Sequence, residues 1–229
     1  MSDQKAVVTI DGPSGAGKST ISKLLAASLG YTYLDTGAMY RVVGLQVKRA
    51  GLDMGSEAGR ARLPDLLADI DMRLAPPANE GGETRAFLDG EDVSDLIRTP
   101  ELSMVASRVS AEPVVREKLT EMQRKMGREG GVVAEGRDTG TVVFPTAEYK
   151  FFLDAGPEER ARRRCEQLRE KGQQVDYQEI LEQIRKRDHD DSSRSLAPLT
   201  PARDAIIVDS SEMGINEVVD FMTNRIRPV

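Results

Sequence analysis

The sequence predicts an α/β fold in which a parallel sheet lies between helices, the doubly wound arrangement. Three observations point to it: five short apolar runs each end in an acidic residue, amphipathic stretches separate most of these runs, and the runs lack strict alternation. Near-continuous apolar character is typical of parallel strands buried on both faces. The 229 residues suffice for one large domain or for one domain with an insertion.

The first strand, 7–11, leads directly into a glycine-rich loop. This loop reads Gly12-Pro13-Ser14-Gly15-Ala16-Gly17-Lys18-Ser19 and matches the phosphate-binding pattern G-x-x-x-x-G-K-[ST]. An amphipathic helix over 19–29 follows, so strand, loop and helix come in the order that a phosphate loop requires. Glycines let backbone N–H groups close on phosphate oxygens, and the helix adds its positive end. We expect Lys18 to supply a point charge and Ser19 to offer its hydroxyl to Mg²⁺.

A strand over 31–35 and a helix over 39–50 come next. Between residues 63 and 109 the succession of apolar runs and amphipathic stretches is interrupted. This stretch contains Pro76-Pro77, a glycine-rich run over 79–83, and a run ending in Asp89-Gly90, a strong signal for a two-residue hairpin. We predict an inserted small α+β subdomain over 63–109. Two further helices are predicted to begin at Thr99-Pro100 and Glu112-Pro113, because proline is favoured at the first helical position.

The second half of the chain supplies the strands 132–135, 151–154 and 206–209 and two helices between the last two strands. The first of these helices begins at Gly156-Pro157 and should end at Gly172; the second covers 177–188. In the first of these two helices, four of the five positions 160–164 are arginines, namely Arg160, Arg162, Arg163 and Arg164. We predict an arginine-rich lid over 156–176 that docks weakly, since Leu168 is its main large apolar residue. The alternative is a solvated face paired with nearby glutamates.

Composition and charge narrow the function classes. The net charge of −6 provides no global positive field for nucleic acid or an anionic membrane. Cys165 and His189 are the only residues of their types, which excludes an intrachain disulfide, a multi-cysteine metal site and a Ser-His-Asp or Cys-His nucleophile. Residues 1–5 lack a basic, then apolar leader pattern, and no apolar run approaches the ~18 residues of a membrane helix. We expect a cytoplasmic monomer that acts on small molecules.

Several classes of phosphate-loop protein remain at this point. A GTPase is disfavoured because the three asparagines precede Glu, Glu and Arg, not the lysine of Asn-Lys-x-Asp. Asp154 or Asp209 could end a Walker B strand, although buried strands of this fold often end in an acid. The clustered arginines suit phosphoryl transfer, in which planar guanidinium groups match the spread negative charge. A phosphate acceptor needs no general base because its second pKa of about 6 leaves it ionised.

Six motifs together resemble bacterial cytidylate kinases over essentially the whole chain. They are the segments 12–20, 34–41, 89–94, 97–99 and 135–145, and Arg187-Asp188-x-x-Asp191. The resemblance implies a P-loop kinase core with a five-stranded parallel sheet, a nucleotide-binding insert and a helical lid. It also implies transfer of the γ-phosphoryl group of ATP to CMP or dCMP with Mg²⁺. Another small-molecule kinase, for adenylate or shikimate, and a nucleotide switch are the competing hypotheses.

The resemblance also implies roles for individual residues. Gly12 to Thr20 would hold the ATP phosphates. Arg41 and Arg137 would hold the acceptor phosphate, Tyr40 would line that pocket, and Thr36 would also bind the acceptor. Arg163 and Arg194 would close on the transferring group, although Arg162 or Arg164 could exchange roles with Arg163. Tyr40 is alternatively a core residue.

The acceptor base and sugar have their own implied contacts. Ser107, Arg116 and Asp138 would recognise cytosine, and Arg187 and Asp191 would reach the ribose hydroxyls. The chemistry agrees for Asp138, because the 4-amino group of cytosine is a donor where uracil has a carbonyl. Asp138 is alternatively part of a structural ion pair, and Ser107 a hydroxyl within a helix.

Overall fold

The five apolar runs form one sheet in a computed structural model that describes residues 5–77, 79, 82–170 and 172–226. In chain order the strands are β1 (Val7–Asp11), β2 (Thr32–Asp35), β3 (Met72–Ala75), β4 (Arg85–Leu88), β5 (Glu91–Asp92), β6 (Val132–Gly136), β7 (Tyr149–Asp154) and β8 (Ile206–Asp209). The helices are α1 (Lys18–Leu29), α2 (Thr36–Arg49), α3 (Glu57–Ala61), α4 (Leu63–Ala68), α5 (Pro100–Val109), α6 (Pro113–Met126), α7 (Pro157–Glu170), α8 (Tyr177–Ser192) and α9 (Ile215–Ile226). A 3-10 turn covers Leu96–Arg98 and a π-helical turn covers Thr139–Val143.

The predicted five-stranded sheet is confirmed, with the order β2-β6-β1-β7-β8. Strand β1 pairs in parallel with β6 and β7, and β7 pairs in parallel with β8. The expectation that every strand is buried is wrong for β8, where Ile207 is 61% exposed. Strand β8 is the edge of the sheet and has a neighbouring strand on one side only. The sheet therefore places the carboxyl end of β1, where the phosphate loop begins, between the ends of β6 and β7.

The chain divides into two compact units, residues 1–33 with 129–229 and residues 34–128. The core of the first unit joins the sheet to α1 and α9. Its buried side chains include Ile10, Phe151 and Leu153 from the strands, Leu25 from α1 and Met222 from α9. Burying one such side chain contributes about 1.5–3 kcal/mol, so α9 holds α1 firmly in place. The start of α1, where the phosphate loop ends, is thereby fixed.

Helices α7 and α8 of the first unit pack on each other through Ala161, Leu181 and Ile184. Helix α7 begins at the predicted proline, and Gly172 has the positive φ of 74° expected of a helix terminator. Ala161 and Cys165 are the small side chains that α7 buries, and the expected weak docking of this helix stays a prediction. Lys171, at the junction of the two helices, lies outside the described residues.

The second unit contains a three-stranded sheet in the order β3-β4-β5. Strands β4 and β5 are antiparallel with Leu88 opposite Glu91, so Asp89-Gly90 forms the predicted two-residue turn. Both turn residues have positive φ, 51° and 82°, as a type I′ turn requires. The Thr99 side chain accepts a hydrogen bond from the Leu102 N–H, which confirms the predicted start of α5.

The predicted insert, residues 63–109, lies within the second unit. Its role as a nucleotide-binding insert stays a prediction. Of the glycine-rich run, Glu80 and Gly81 fall outside the described residues, as do residues 1–4 of the N-terminus. Within the described part of the chain, no helix is both long and apolar enough to cross a membrane.

Candidate active site

The phosphate loop between β1 and α1 adopts backbone angles that only glycine tolerates well. Gly12, Gly15 and Gly17 have φ values of 148°, 83° and 90°. A Cβ atom on Gly12 would lie 2.0 Å from the carbonyl oxygen of Leu153, so the loop passes directly against β7. These angles let the loop curl back over the start of α1, as phosphate binding requires.

The N-terminus of α1 is left open for an anion. Within the described residues no side chain caps this helix, whose N-cap residue is Gly17, and its first turn contains no acid. The N–H groups of a helix start carry partial positive charge and need acceptors. The Lys18 ammonium lies beside them, donates a hydrogen bond to the Pro13 carbonyl oxygen at 2.7 Å, and is 5% exposed.

Positive charge is concentrated around Lys18. Burial, and then the charge of Arg137, lower the pKa of Lys18 well below its ordinary value, and Arg187 adds to this effect. Burial likewise lowers the pKa of Arg137. Nearby acids oppose both shifts, Glu135 and Asp11 at Lys18 and also Asp188 and Asp138 at Arg137, so burial is the main cause. A bound polyphosphate would offset the cost of burying these two cations.

Three of the predicted arginines converge on one buried carboxylate. Asp191 is 2% exposed, and its Oδ2 accepts a hydrogen bond from the Nε of Arg137 at 2.9 Å. Arg194 donates to Oδ1 of Asp191, and the Nε of Arg187 lies 4.0 Å from Oδ2. Asp191 was expected at the ribose; here its two oxygens hold Arg137 and Arg194. Asp191 therefore brings Arg137 and Arg194 together.

Ser19, the predicted Mg²⁺ ligand, lies beside an acid that the sequence analysis did not select. The Ser19 hydroxyl donates to Oε1 of Glu135 at 2.8 Å, and the Tyr33 hydroxyl donates to Oε2 at 2.9 Å. Glu135 is 8% exposed near the end of β6, the strand beside β1. Its carboxylate therefore lies beside the Ser19 hydroxyl, where an acid that helps to bind Mg²⁺ is expected.

The two acids considered for that position at the sequence level have other contacts. The Asp154 carboxylate accepts a hydrogen bond from the Ala155 N–H, and that of Asp209 accepts one from the Ser211 N–H. Both acids are exposed. Each stabilises the turn after its own strand, so neither is the Walker B residue.

The arginines of α7 have separate surroundings. Arg160 is 3% exposed and donates to the Ser14 carbonyl oxygen at 3.0 Å and to both carboxylate oxygens of Asp188, so it joins the phosphate loop to α8. Arg163 contacts Glu159 and donates to the Ser210 carbonyl oxygen at 2.6 Å, beyond the end of β8. Arg163 therefore lies near the β8 side of the loop, whereas Arg194 lies in the Asp191 cluster.

The second unit holds its predicted site residues around α2, α5 and α6. Thr36 is 4% exposed at the first position of α2, directly after Asp35, which caps that helix and pairs with Arg41 at 3.1 Å. Arg116 lies with its guanidinium carbon 5.6 Å from the centre of the Tyr40 ring.

Ser110, directly after α5, is hydrogen-bonded to both Arg116 and Ser107. The Nη1 of Arg116 donates to the Ser110 carbonyl oxygen at 2.8 Å, and the Ser110 hydroxyl donates to the Ser107 carbonyl oxygen at 2.8 Å. Ser107 is partly exposed, as a substrate contact requires.

A second buried acid that the sequence analysis did not select anchors the loop after β6. Asp11 accepts three hydrogen bonds, from the N–H and hydroxyl of Thr139 and from the N–H of Gly140, at 2.7–2.8 Å. Asp138, the predicted cytosine contact, immediately precedes these residues and is 6% exposed. Burial raises the pKa of Asp11, the neighbouring Asp138 charge adds to the rise, and the three hydrogen bonds oppose it.

Comparisons with known proteins agree with this geometry. A family model described as cytidylate kinase matches residues 8–228. A cytidylate kinase of Geobacter sulfurreducens is 50% identical over 221 residues, covering 96% of this chain and 92% of that protein. One from Pelotomaculum thermopropionicum is 49% identical, covering 96% and 95%. An uncharacterized protein of Eubacterium ventriosum is similar in fold, with a TM-score of 0.51 at 12% identity over 98% of this chain and 100% of that one.

Proposed function

The chain belongs to the cytidylate kinase family, and from this premise we propose that it transfers the γ-phosphoryl group of ATP to CMP or dCMP, giving ADP and CDP or dCDP. The observation that carries the proposal is the phosphate loop, with positive φ at Gly12, Gly15 and Gly17, an α1 whose N-cap glycine offers no side chain, and a buried Lys18. Phosphoryl transfer develops negative charge on the transferring group, and prearranged cations stabilise it without reorganisation.

On the donor side, the loop residues 12–20 and the N-terminus of α1 bind the ATP phosphates, and Lys18 contacts the transferring group. Mg²⁺ prefers oxygen ligands and usually takes few from the protein, keeping waters and phosphate oxygens. The Ser19 hydroxyl with the Glu135 carboxylate fits this preference, so these two residues would hold the ion. When bound, Mg²⁺ neutralises charge on the outer phosphates.

The first unit also carries residues for the acceptor. We assign Arg137 to the acceptor phosphate, Arg187 and Asp191 to the ribose, and Arg194 to the transferring group. The shared contacts of Arg137 and Arg194 with Asp191 support this, because they hold both guanidinium groups in one cluster. No general base is required, since the acceptor phosphate is already ionised.

Recognition of cytosine is assigned to Asp138 in the first unit. Its carboxylate accepts the 4-amino group of cytosine, which uracil lacks. In the second unit we assign Ser107 and Arg116 to the base, and Tyr40 and Arg41 to the phosphate. The ring contact between Arg116 and Tyr40 supports these assignments because it fixes both side chains.

An acceptor panel tests the function. ADP release is measured with CMP, dCMP, UMP, AMP and shikimate at a fixed concentration of ATP and Mg²⁺. We expect CMP and dCMP to be phosphorylated at least tenfold faster than the others, since a site built to bind a substrate group strongly rejects an analogue lacking it. A nucleotide switch would instead hydrolyse ATP slowly at a rate that CMP does not change, and that result would contradict the proposal.

The metal assignment has its own test. Glu135→Gln should raise the Mg²⁺ concentration needed for half-maximal turnover by about tenfold, the cost of losing one anionic partner. Asp154→Asn is the matched control, because Asp154 also ends a strand beside β1 but its carboxylate accepts a hydrogen bond from the Ala155 N–H of its own turn. If both variants respond to Mg²⁺ as the unmodified protein does, Glu135 does not hold the ion.

We also propose that the enzyme is a cytoplasmic monomer acting on small nucleotides. The single cysteine and the negative net charge support this. Light scattering on the purified protein should give the mass of one chain, and the mass of two would contradict the monomer.

A further inference from the structure

Asp11 is a buried acid that contacts no substrate in the phosphoryl transfer proposed above, and its negative charge acts to raise the pKa of Lys18 and of Arg137. It is the last residue of β1 and is 3% exposed. A carboxylate buried this deeply is costly to ionise unless hydrogen bonds compensate. All the hydrogen bonds to its carboxylate described above come from Thr139 and Gly140, in the loop after β6. Asp11 therefore holds the loop after β6 in place.

The hydrogen bonds that the Asp11 carboxylate accepts cap the π-helical turn Thr139–Val143. The first N–H groups of any helical turn lack partners within the turn, and the preceding residue usually supplies an oxygen, with aspartate among the most favoured types. Asp138 stands at that preceding position. Within the described chain its side chain makes no capping hydrogen bond. Asp11 caps the turn instead, from a different strand.

The sheet fixes the geometry of this arrangement. Asp11 lies opposite Gly136 in the parallel pairing of β1 with β6, so the loop beginning at Arg137 starts level with the Asp11 carboxylate. The backbone oxygen of Asp138 accepts hydrogen bonds from the N–H groups of Val142 and Val143, which holds the other side of the turn. The Asp138 backbone is thus fixed on this side of the turn.

We propose that Asp11 is a positioning residue for base selection: by capping Thr139 and Gly140 itself, it keeps the Asp138 carboxylate from turning back onto those N–H groups. The inference rests on the proposed role of Asp138 in binding the amino group of cytosine. The closeness of the two charges, which adds to the raised pKa of Asp11, agrees with two carboxylates serving neighbouring donors.

The test replaces Asp11 by asparagine, which has nearly the same shape but places an NH₂ group against one of the donors. In Asp11→Asn the Asp138 carboxylate becomes the better cap and is lost to the base. We expect kcat/KM for CMP to fall by about 10- to 100-fold, the range for losing a hydrogen bond to a charged group. The preference for CMP over UMP should fall by a similar factor. The Kd of ATP, measured by equilibrium titration, should change less than about threefold.

Two further variants separate positioning from a structural role. Asp138→Asn removes the carboxylate whose direction Asp11 controls, so adding Asp11→Asn to it should cost no further selectivity; the two effects are non-additive. Asp154→Asn, at the end of the neighbouring strand β7, is the matched control and should keep the CMP preference within twofold, about the scatter for a surface site.

Each outcome is decisive. If Asp11→Asn keeps the CMP preference while Asp138→Asn loses it, the inference about Asp11 is overturned and the proposed function stands. If Asp138→Asn itself keeps the preference, the assignment of Asp138 fails first. Equal losses of CMP and ATP binding with a lower Tm would make Asp11 merely structural. Should Asp11→Asn not fold, Thr139→Val removes one of the three bonds, and an unchanged CMP to UMP ratio in that variant overturns the inference.

Discussion

Replacing Lys18 by methionine should separate what this side chain does for the rate from what it does for stability. Methionine has a similar length and no charge, so it fills the same space. Lys18 is 5% exposed, and its described hydrogen bond goes to a neutral carbonyl, that of Pro13 at 2.7 Å. Burial, and then repulsion by Arg137 and Arg187, lower the pKa of Lys18, and the acids Glu135 and Asp11 oppose the shift in part. The charge is therefore costly to the free enzyme and useful only when phosphate is bound.

The effect on rate follows from the loss of one prearranged charge at the transferring group. Removing a single such donor typically costs about 3–4 kcal/mol of transition-state stabilisation, or about two to three decades of turnover. The rate is measured as ADP release at saturating ATP and CMP. A folded Lys18→Met variant that keeps the unmodified turnover would refute the assignment of the phosphate loop.

The effect on stability has the opposite sign. The unfolded chain keeps the Lys18 proton up to its ordinary pKa of 10.5, whereas the folded chain releases it at a lower pH. Between these two pH values the unfolded state binds more protons, so stability rises with pH, and below them the full penalty of the buried charge is present. Lys18→Met removes that penalty. Its Tm without nucleotide should exceed that of the unmodified protein at pH 7, and the difference should shrink as the pH approaches 10.5.

Lys150 offers the matched control. It is another buried lysine, 7% exposed, but its ammonium donates to the Pro145 carbonyl oxygen and to the Asp204 carboxylate at 2.6–2.9 Å. Lys150→Met should therefore lower the Tm, by about 2–4 °C for each kcal/mol lost in a chain of this size, while turnover stays within about threefold. A fall in Tm for Lys18→Met as large as that for Lys150→Met would refute the argument from charge.

Three further predictions concern the frame of the site. Gly12→Ala should lower stability by about 2–4 kcal/mol in thermal unfolding, because its Cβ would lie 2.0 Å from the Leu153 carbonyl oxygen; an unchanged Tm would mean that the loop can move away. The hydrogen bond from Arg162 lowers the pKa of Glu159 to about 2 from 4.5, so Glu159→Gln should destabilise α7 above pH 4.5 and lose this effect as the pH falls through about 2; a difference independent of pH would contradict this. Hydrogen exchange in the described residues of 157–175 should slow when ATP and CMP bind together, more than with CMP alone, and Arg163→Ala should lower kcat more than it raises KM for CMP. Equal exchange and unchanged turnover would leave α7 a solvated face.

Local features were predictable from the sequence because each has a local cause. The phosphate loop needs its glycines whatever surrounds it, and the turn at Asp89-Gly90 needs two positive φ angles wherever its strands lie. The starts of α5 and α7 follow in the same way from proline at the first helical position.

Features that depend on strand order could not be predicted in this way. Glu135 was recognised as the end of a strand, but its position beside Ser19 follows only from β6 being the neighbour of β1. Asp209 ends an equally apolar run that lies two strands away from β1, and Asp154 ends one that lies on the side of β1 opposite to β6. The exposure of Ile207 has the same origin, since nothing in a short apolar run marks it as an edge strand.

The division of the chain into units also affects how the protein acquires its structure during synthesis. The unit of residues 34–128 is continuous, so all of its sequence is available once the ribosome has passed it. The first unit needs β8 and α9, which follow the 34–128 unit in the chain, to cover Leu25 of α1. Domains tend to fold in the order of their synthesis. The nascent chain should therefore carry a finished 34–128 unit while the apolar side of α1 is still uncovered, and a chaperone that binds exposed apolar helices would meet this protein before β8 and α9 have been synthesised.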